Sequence, residues 1–288
     1  MNMKCIICKD YLTNKVTKWS FYCDKCNYWG ADLVTNISDD KDHIFNNLRK
    51  DEKFISHLDS IRIENFNKIL AYIDSQIGSN KTILDVGCAS GLFMEMAEKK
   101  GHKITGVEPN PLMYRAAMSR NLNVINGYFP DNLNYNTRFD IIIFNDVFEH
   151  IPDVNHILLS CYEYLSNQGR LIINIPNSDG IIFRISKILT KYDHFGLWNR
   201  LWQTMFYTPH LHYFNPSSLE LLVGNHKFKV ILKEDKLESL SLKGLWERVS
   251  IDTTNSFSKN LIAYLGIVLL YPFIKLLPRD SFFAVYSK

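Results

Sequence analysis

Downstream of Lys81 the chain alternates short apolar runs with amphipathic stretches. Thr82-Ile83-Leu84-Asp85-Val86-Gly87 suits a buried strand, and Leu92-Phe93-Met94-Glu95-Met96-Ala97 then carries helical spacing. His102 to Val107 reads as a second strand, and the continuously apolar Phe139 to Phe144 fits a central parallel strand. Gly169 to Ile175, Lys227 to Leu232 and Ser281 to Tyr286 predict further strands. Pro152 suits the first turn of a helix, and Pro216-Ser217-Ser218 a helix cap before the Lys227 strand. Strands separated by helical stretches predict an α/β fold. Upstream, Ile61, Ile63, Phe66, Ile69, Leu70 and Ile73 recur near helical spacing, so 39–80 reads as a helical linker of one or two helices. Gly78-Ser79-Asn80 breaks that pattern and places the start of the main domain, 81–288.

The first residues follow another logic. Cys5 and Cys8, then Cys23 and Cys26, give two C-x2-C pairs separated by a 14-residue gap, the arrangement that presents four thiolates tetrahedrally to Zn²⁺. A disulfide pair or free thiols would explain that spacing less economically. Four protein ligands leave no open position, so the metal is expected to be structural. Lys18 to Tyr22 alternates like a short strand, and Tyr28-Trp29 is placed to cover the metal. Residues 1–38 therefore read as a zinc ribbon whose folding depends on its ion.

Length and charge narrow the partners. A chain of 288 residues with 46% hydrophobic and 22% charged content holds one α/β domain plus an appendage. A net charge of +3 falls short of the basic field of a nucleic-acid protein. Met1 to Lys9 has no apolar core of a signal peptide, so a cytoplasmic location is expected.

Chemistry concentrates where the first strand of the main domain enters Cys88-Ala89-Ser90-Gly91. Strand, glycine-bearing turn and helix bring backbone close to a ligand at the carboxyl edge of an open sheet. Glu108 ends the second strand 21 residues after Gly87, where a carboxylate accepts hydrogen bonds from both hydroxyls of a ribose. No G-x-G-x-x-G occurs, and an acid, Asp85, stands two residues before the first glycine. Asn145-Asp146 lies at the carboxyl end of the central strand, beside the same crevice.

Leu84-Asp85-Val86-Gly87-Cys88-Ala89-Ser90-Gly91, then Val107-Glu108-Pro109-Asn110, then Phe139 through Asp153 together resemble class I S-adenosylmethionine-dependent methyltransferases, nearest to the ubiquinone and sugar methyltransferase group. The resemblance spans Lys81 to Lys288. It implies a doubly wound, seven-stranded, mostly parallel, Rossmann-like sheet, with the last strand antiparallel between the fifth and sixth. It further implies that Asp85, Gly87, Cys88, Ala89 and Gly91 line the methionine part of the cofactor and that Glu108 and Pro109 meet its ribose. Tyr128, in the loop Asn126 to Phe129, would cover the adenine, and Asn145 and Asp146 would flank the pocket. Ala89 departs from the commoner glycine.

Methyl transfer needs alignment and, for a hydroxyl acceptor, a base. Asp146-Val147-Phe148-Glu149-His150 resembles a D/E-x-x-E-H stretch that some relatives use near substrate or a divalent ion. His150 is the first choice of base, with Glu149 orienting it or binding an ion; capping the next helix is the alternative. His210 or His212 is the second choice. An insert, 177–215, holds Phe183, Arg184, Tyr192, Phe195, Trp198, Arg200 and Trp202, either as a lid over a sugar or nucleotide-linked acceptor or as packing of an extra helix. Leu261 to Ile274 carries no charge, yet fourteen residues are too few to span about 30 Å of hydrocarbon. An apolar helix over 259–278 is expected on the core or, through 261–277, peripherally at the inner membrane face, where a lipid-linked acceptor would be met. The expected activity is methylation of a small molecule, favouring O-methylation of a sugar or glycolipid precursor in surface-polysaccharide biosynthesis. Two rivals are a ribosomal RNA methyltransferase, which the low charge disfavours, and a non-catalytic cofactor-binding interaction protein.

Overall fold

The computed structural model describes residues 3–12, 14–35, 52–237, 246, 257–274 and 277–288. At the N-terminus β1 (Asn14–Lys15), β2 (Ser20–Cys23) and β3 (Tyr28–Ala31) form an antiparallel meander carrying the cysteine pairs. Helix α1 (Glu52–Tyr72) follows and closes in a π-turn, Ile73–Ile77. Its buried Phe66, Ile69 and Leu70, with Ile73 of the π-turn, join the core, and Phe66 meets Phe93 edge-on at 5.2 Å. Residues 36–38 of the expected ribbon and 39–51 of the expected linker lie outside the described residues.

The main sheet is built in alternation: β4 (Thr82–Val86), α2 (Leu92–Lys99), β5 (Lys103–Glu108), α3 (Pro111–Met118), β6 (Val124–Asn126), β7 (Phe139–Asn145), α4 (Val154–Tyr164) and β8 (Leu165–Pro176). After β8 come α5 (Ile181–Thr190), α6 (Gly196–Leu201), β9 (His212–Tyr213), α7 (Pro216–Gly224), β10 (Lys229–Leu237), α8 (Phe257–Ile274) and β11 (Ser281–Ser287). Strand order is β10-β11-β8-β7-β4-β5-β6, with β11 antiparallel to both neighbours and the other pairs parallel. This is the mostly parallel seven-stranded sheet the sequence implies. Along β7, Ile142 and Phe144 enter one core layer while Ile141 and Ile143 enter the other, all fully buried. That two-sided burial explains the unbroken apolar run, because each such side chain contributes about 1.5–3 kcal/mol when removed from water.

Helix starts differ in detail from the expectation. Pro152 precedes α4 rather than entering it, and Asp153 caps the helix by accepting the His156 amide at 3.0 Å. Ahead of α7 the cap is Asn215, in a reciprocal capping box with Ser218, and Pro216 occupies the first turn.

The N-terminal meander is joined to the rest of the chain through β3. Strand β3 pairs antiparallel with β9, Trp29 opposite Tyr213 and Gly30 opposite His212, giving a four-stranded sheet β1-β2-β3-β9. Buried Phe183, Trp198 and Trp202 pack beneath it against Trp29 and Tyr213, with Trp29 and Trp198 centroids 5.3 Å apart. These three rings are therefore packing, one of the two readings the insert offered, while Tyr192 stays 70% exposed. Helix α8 leaves Ile262, Leu265 and Leu269 exposed, and among the described residues no helix is long and apolar enough to cross a membrane. Residues 275–276 of the expected apolar helix lie outside the described residues.

Candidate functional site

At the carboxyl edge of the sheet, the turn from β4 to α2 is wound tightly. Gly87 (φ 73°) and Gly91 (φ 84°) take left-handed backbone, and so does Ala89 at 48°. A Cβ on Gly87 would stand 2.6 Å from Val147 Cγ2, so only glycine lets the turn pass the loop after β7. A Cβ on Gly91 would stand 2.2 Å from Leu122 Cδ1. Gly106 of β5 serves similarly, since a Cβ there would meet Cys88 Sγ at 2.5 Å. Cys88 thus turns its side chain into the core and can offer a ligand only backbone.

Glu108, 6% exposed, holds the turn in place. Its Oε2 accepts the Ala89 amide at 2.8 Å and its Oε1 the Asn110 amide at 2.8 Å. Burial raises its pKa from the ordinary value, and those two amides oppose the rise. Asp85, 1% exposed, is pushed up to about 7 by burial, with Glu108 raising it further and the Asn145 amide opposing. Asn145 Nδ2 donates to Asp85 Oδ1 at 3.4 Å, and Asn174 of β8 reaches Asn145 Oδ1 at 3.5 Å. A polar row thus crosses β4, β7 and β8, walled by two buried acids that suit a cation. Asp146 is exposed on the turn after β7, its amide bound to the Asn174 carbonyl at 3.0 Å. Pro109 is half-buried beside Glu108, while Tyr128 is 55% exposed.

The loop after β7 carries the second cluster. Glu149 is 1% exposed and neither carboxylate oxygen has a hydrogen-bond partner among the described residues. Burial holds its carboxyl well above the usual range. Ligand atoms of Glu149, His150 and His210 lie within 4.8 Å of one another, and Glu149 Oε1 stands 3.9 Å from His210 Nε2. His150 donates Nδ1–H to the Pro209 carbonyl at 3.0 Å, which leaves Nε2 as its basic nitrogen. Burial keeps the His150 pKa below its ordinary value, so the ring is neutral at neutral pH.

The other histidines are placed differently. His210 Nε2 faces the Gln203 amide at 2.9 Å, and its pKa is depressed well below the ordinary value by burial and by His150. His212 has both nitrogens engaged: Tyr28 Oη donates to Nδ1 at 2.5 Å, and Nε2–H donates to the Ile151 carbonyl at 2.9 Å. Both His212 nitrogens are thus committed within the protein, whereas His150 keeps Nε2.

Around the cysteines, the four sulfurs lie within 4.8 Å of one another, with Cys8 and Cys23 Sγ 3.7 Å apart and no disulfide joining them. A tetrahedron with Zn–S bonds of about 2.3 Å has edges of about 3.8 Å, so the donor set fits the ion. Each knuckle turns through left-handed backbone just after its second cysteine, at Lys9 (φ 64°) and Asn27 (φ 51°).

Sequence reasoning missed Asn174, Gly106 and Tyr28's bond to His212. A polar residue inside the apolar run of β8 was the available signal for Asn174; the others depend on residues distant in sequence.

Comparison with known proteins agrees with this geometry. Residues 55–233, more than half of the chain, match the family described as Methyltransferase domain. The ubiquinone biosynthesis O-methyltransferase of Coxiella burnetii (strain Dugway 5J108-111) is 32% identical over 117 residues, 38% of this chain and 49% of that protein. The protein of the same name from Glaesserella parasuis serovar 5 is 28% identical over 136 residues, 43% and 58% of the two chains. The chain thus spans about half the length of the curated relatives it matches. Among solved structures, a SAM-dependent methyltransferase from Archaeoglobus fulgidus superposes with TM-score 0.51 at 17% identity, over 86% of this chain and 100% of that one. The plantazolicin methyltransferase BpumL, solved in complex with SAH, gives 0.51 at 18%, over 87% and 91%. At these identities the structures speak to the fold alone.

Proposed function

We propose that this chain, which belongs to the methyltransferase domain family, moves a methyl group from S-adenosylmethionine to a hydroxyl oxygen of a small molecule. One observation carries the reading: two buried acids, Asp85 and Glu108, stand at adjacent carboxyl strand ends around a turn that only glycines at 87 and 91 allow. Glu108 has lone pairs for a ribose diol beyond those used on its two backbone amides. Asp85 ionises more readily when a cation comes to rest beside it, as the amino group of the methionine moiety would. Bound S-adenosylmethionine supplies an electrophilic methyl carbon.

His150 is the base. Its Nδ1–H is committed to Pro209, so Nε2 takes the hydroxyl proton as the acceptor oxygen bonds to the methyl and the carbon–sulfur bond breaks. The unpartnered Glu149 oxygens favour a second reading in which Glu149, His150 and His210 hold a divalent ion that lowers the acceptor's pKa. We assign Zn²⁺ to Cys5, Cys8, Cys23 and Cys26 in a structural role.

For the acceptor we favour a sugar or lipid-linked sugar. Beyond β8 a cavity of about 370 Å³ is lined by Asn177, Asp179, Lys233, Glu234, Lys236 and Arg279, groups suited to hydroxyls and phosphates. The exposed apolar residues of α8 suit a peripheral membrane contact. Supplying radiolabelled S-adenosylmethionine with carbohydrate and lipid-linked acceptor fractions tests the reading. Label transfer that falls by about 10²–10⁴ in His150→Ala supports it. An undiminished rate in that variant removes His150 as base, and transfer restored by added divalent ion after chelation selects the second reading.

A further inference from the structure

Strand β9 lies between the cysteine module and the loop that carries His150, and it is bonded to both. On one side it pairs with β3, and Ala31 donates its amide to the Leu211 carbonyl at 2.9 Å. On the other, three bonds reach the His150 loop: Leu211 N–H to the Glu149 carbonyl at 2.8 Å, His150 Nδ1–H to the Pro209 carbonyl at 3.0 Å, and His212 Nε2–H to the Ile151 carbonyl at 2.9 Å. The last of these exists only in one tautomer. The Ile151 carbonyl can only accept, so Nε2 carries the proton, and Nδ1 then accepts the hydroxyl of Tyr28, two residues after Cys26. Tyr28 is 1% exposed and His212 6%, so the bond is buried away from bulk solvent. Gly30 completes the arrangement: a Cβ there would stand 2.9 Å from the Tyr28 hydroxyl and displace it.

We infer that Tyr28 and His212 are positioning residues through which the four-cysteine module sets the place of His150. The inference rests on the reading of His150 as the group that serves the acceptor, and goes beyond it in giving the module a task in the reaction centre. Tyr28 holds the His212 ring in its orientation, His212 grips the residue after His150, and β9 transmits the position of β3 to the loop.

Tyr28→Phe removes that oxygen and keeps the ring. In the full chain loaded with zinc, metal content and S-adenosylhomocysteine affinity stay within about twofold of the parent, since neither site touches the hydroxyl. Imidazole nitrogen spectra show His212 Nδ1 losing the shift of a hydrogen-bonded acceptor, and amide exchange over 149–151 quickens about tenfold while 82–91 and 103–108 keep theirs. With any hydroxyl acceptor that the parent methylates, kcat falls about tenfold at unchanged KM for the donor. His212→Gln, whose amide donates to Ile151 without a tyrosine, shows exchange near the parent's, and adding Tyr28→Phe to it changes little; His212→Ala exchanges fast. Unchanged exchange over 149–151 in Tyr28→Phe, an increase shared with 82–91, or equal behaviour of His212→Gln and His212→Ala overturns the inference. Failure of the parent to bind S-adenosylhomocysteine would instead strike the proposed function, leaving the spectra and exchange to report on the link alone.

Discussion

Glu108 Oε2 accepts the Ala89 amide at 2.8 Å, so the acid that ends β5 clamps the turn following β4. The clamp accounts for an alanine held in left-handed backbone, at φ 48°. Left-handed backbone costs a non-glycine residue about 1–2 kcal/mol, and a hydrogen bond to a buried carboxylate offsets about that much. The same acid thus organises the turn and has lone pairs left over for a ligand.

Gly87→Ala is expected to fail on two counts. The new methyl meets Val147 at 2.6 Å, in backbone at φ 73°. A loss of about 1–3 kcal/mol follows, read as a drop in Tm, together with at least about tenfold weaker S-adenosylhomocysteine binding in calorimetry.

Asp85 makes both stability and affinity depend on pH. Its folded pKa of about 7 lies above the ordinary 3.8. Between those values the folded protein keeps a proton that the unfolded chain has released, so this group's contribution to stability falls as pH rises and levels off above about 7. Binding of a cationic amino group runs the other way, strengthening as Asp85 ionises. Chemical denaturation and calorimetry from pH 5 to about 8 should show both slopes, and Asp85→Asn should flatten them.

Removing one thiolate should release the metal and loosen more than the N-terminus. Cys23→Ser is expected to lose zinc and to destabilise the chain by about 4 kcal/mol or more, because β3 and its aromatic cluster lose their frame. Metal analysis and thermal unfolding check this; retention of zinc with unchanged Tm would contradict it.

What the sequence made legible was local. Strand β7 announced itself by an apolar run because both of its faces are buried, and Glu108 by its place after a strand. The cysteine pairs carry their chemistry in their spacing. The setting of His212 was not legible, because its partners, Tyr28 and Ile151, lie 184 and 61 residues away. For the same reason the aromatic insert read equally well as lid or core: Trp198 and Trp202 gain their burial from Trp29 and Trp19, which belong to the other end of the chain.

Calorimetric titration of S-adenosylhomocysteine into the parent and into Glu108→Ala tests the central pocket most directly. The account predicts binding at a single site in the parent and a loss of about tenfold or more in the variant, as expected when hydrogen bonds to a buried carboxylate worth about 1.5–3 kcal/mol are removed. Equal affinity in the two proteins, or no binding by the parent, would contradict it.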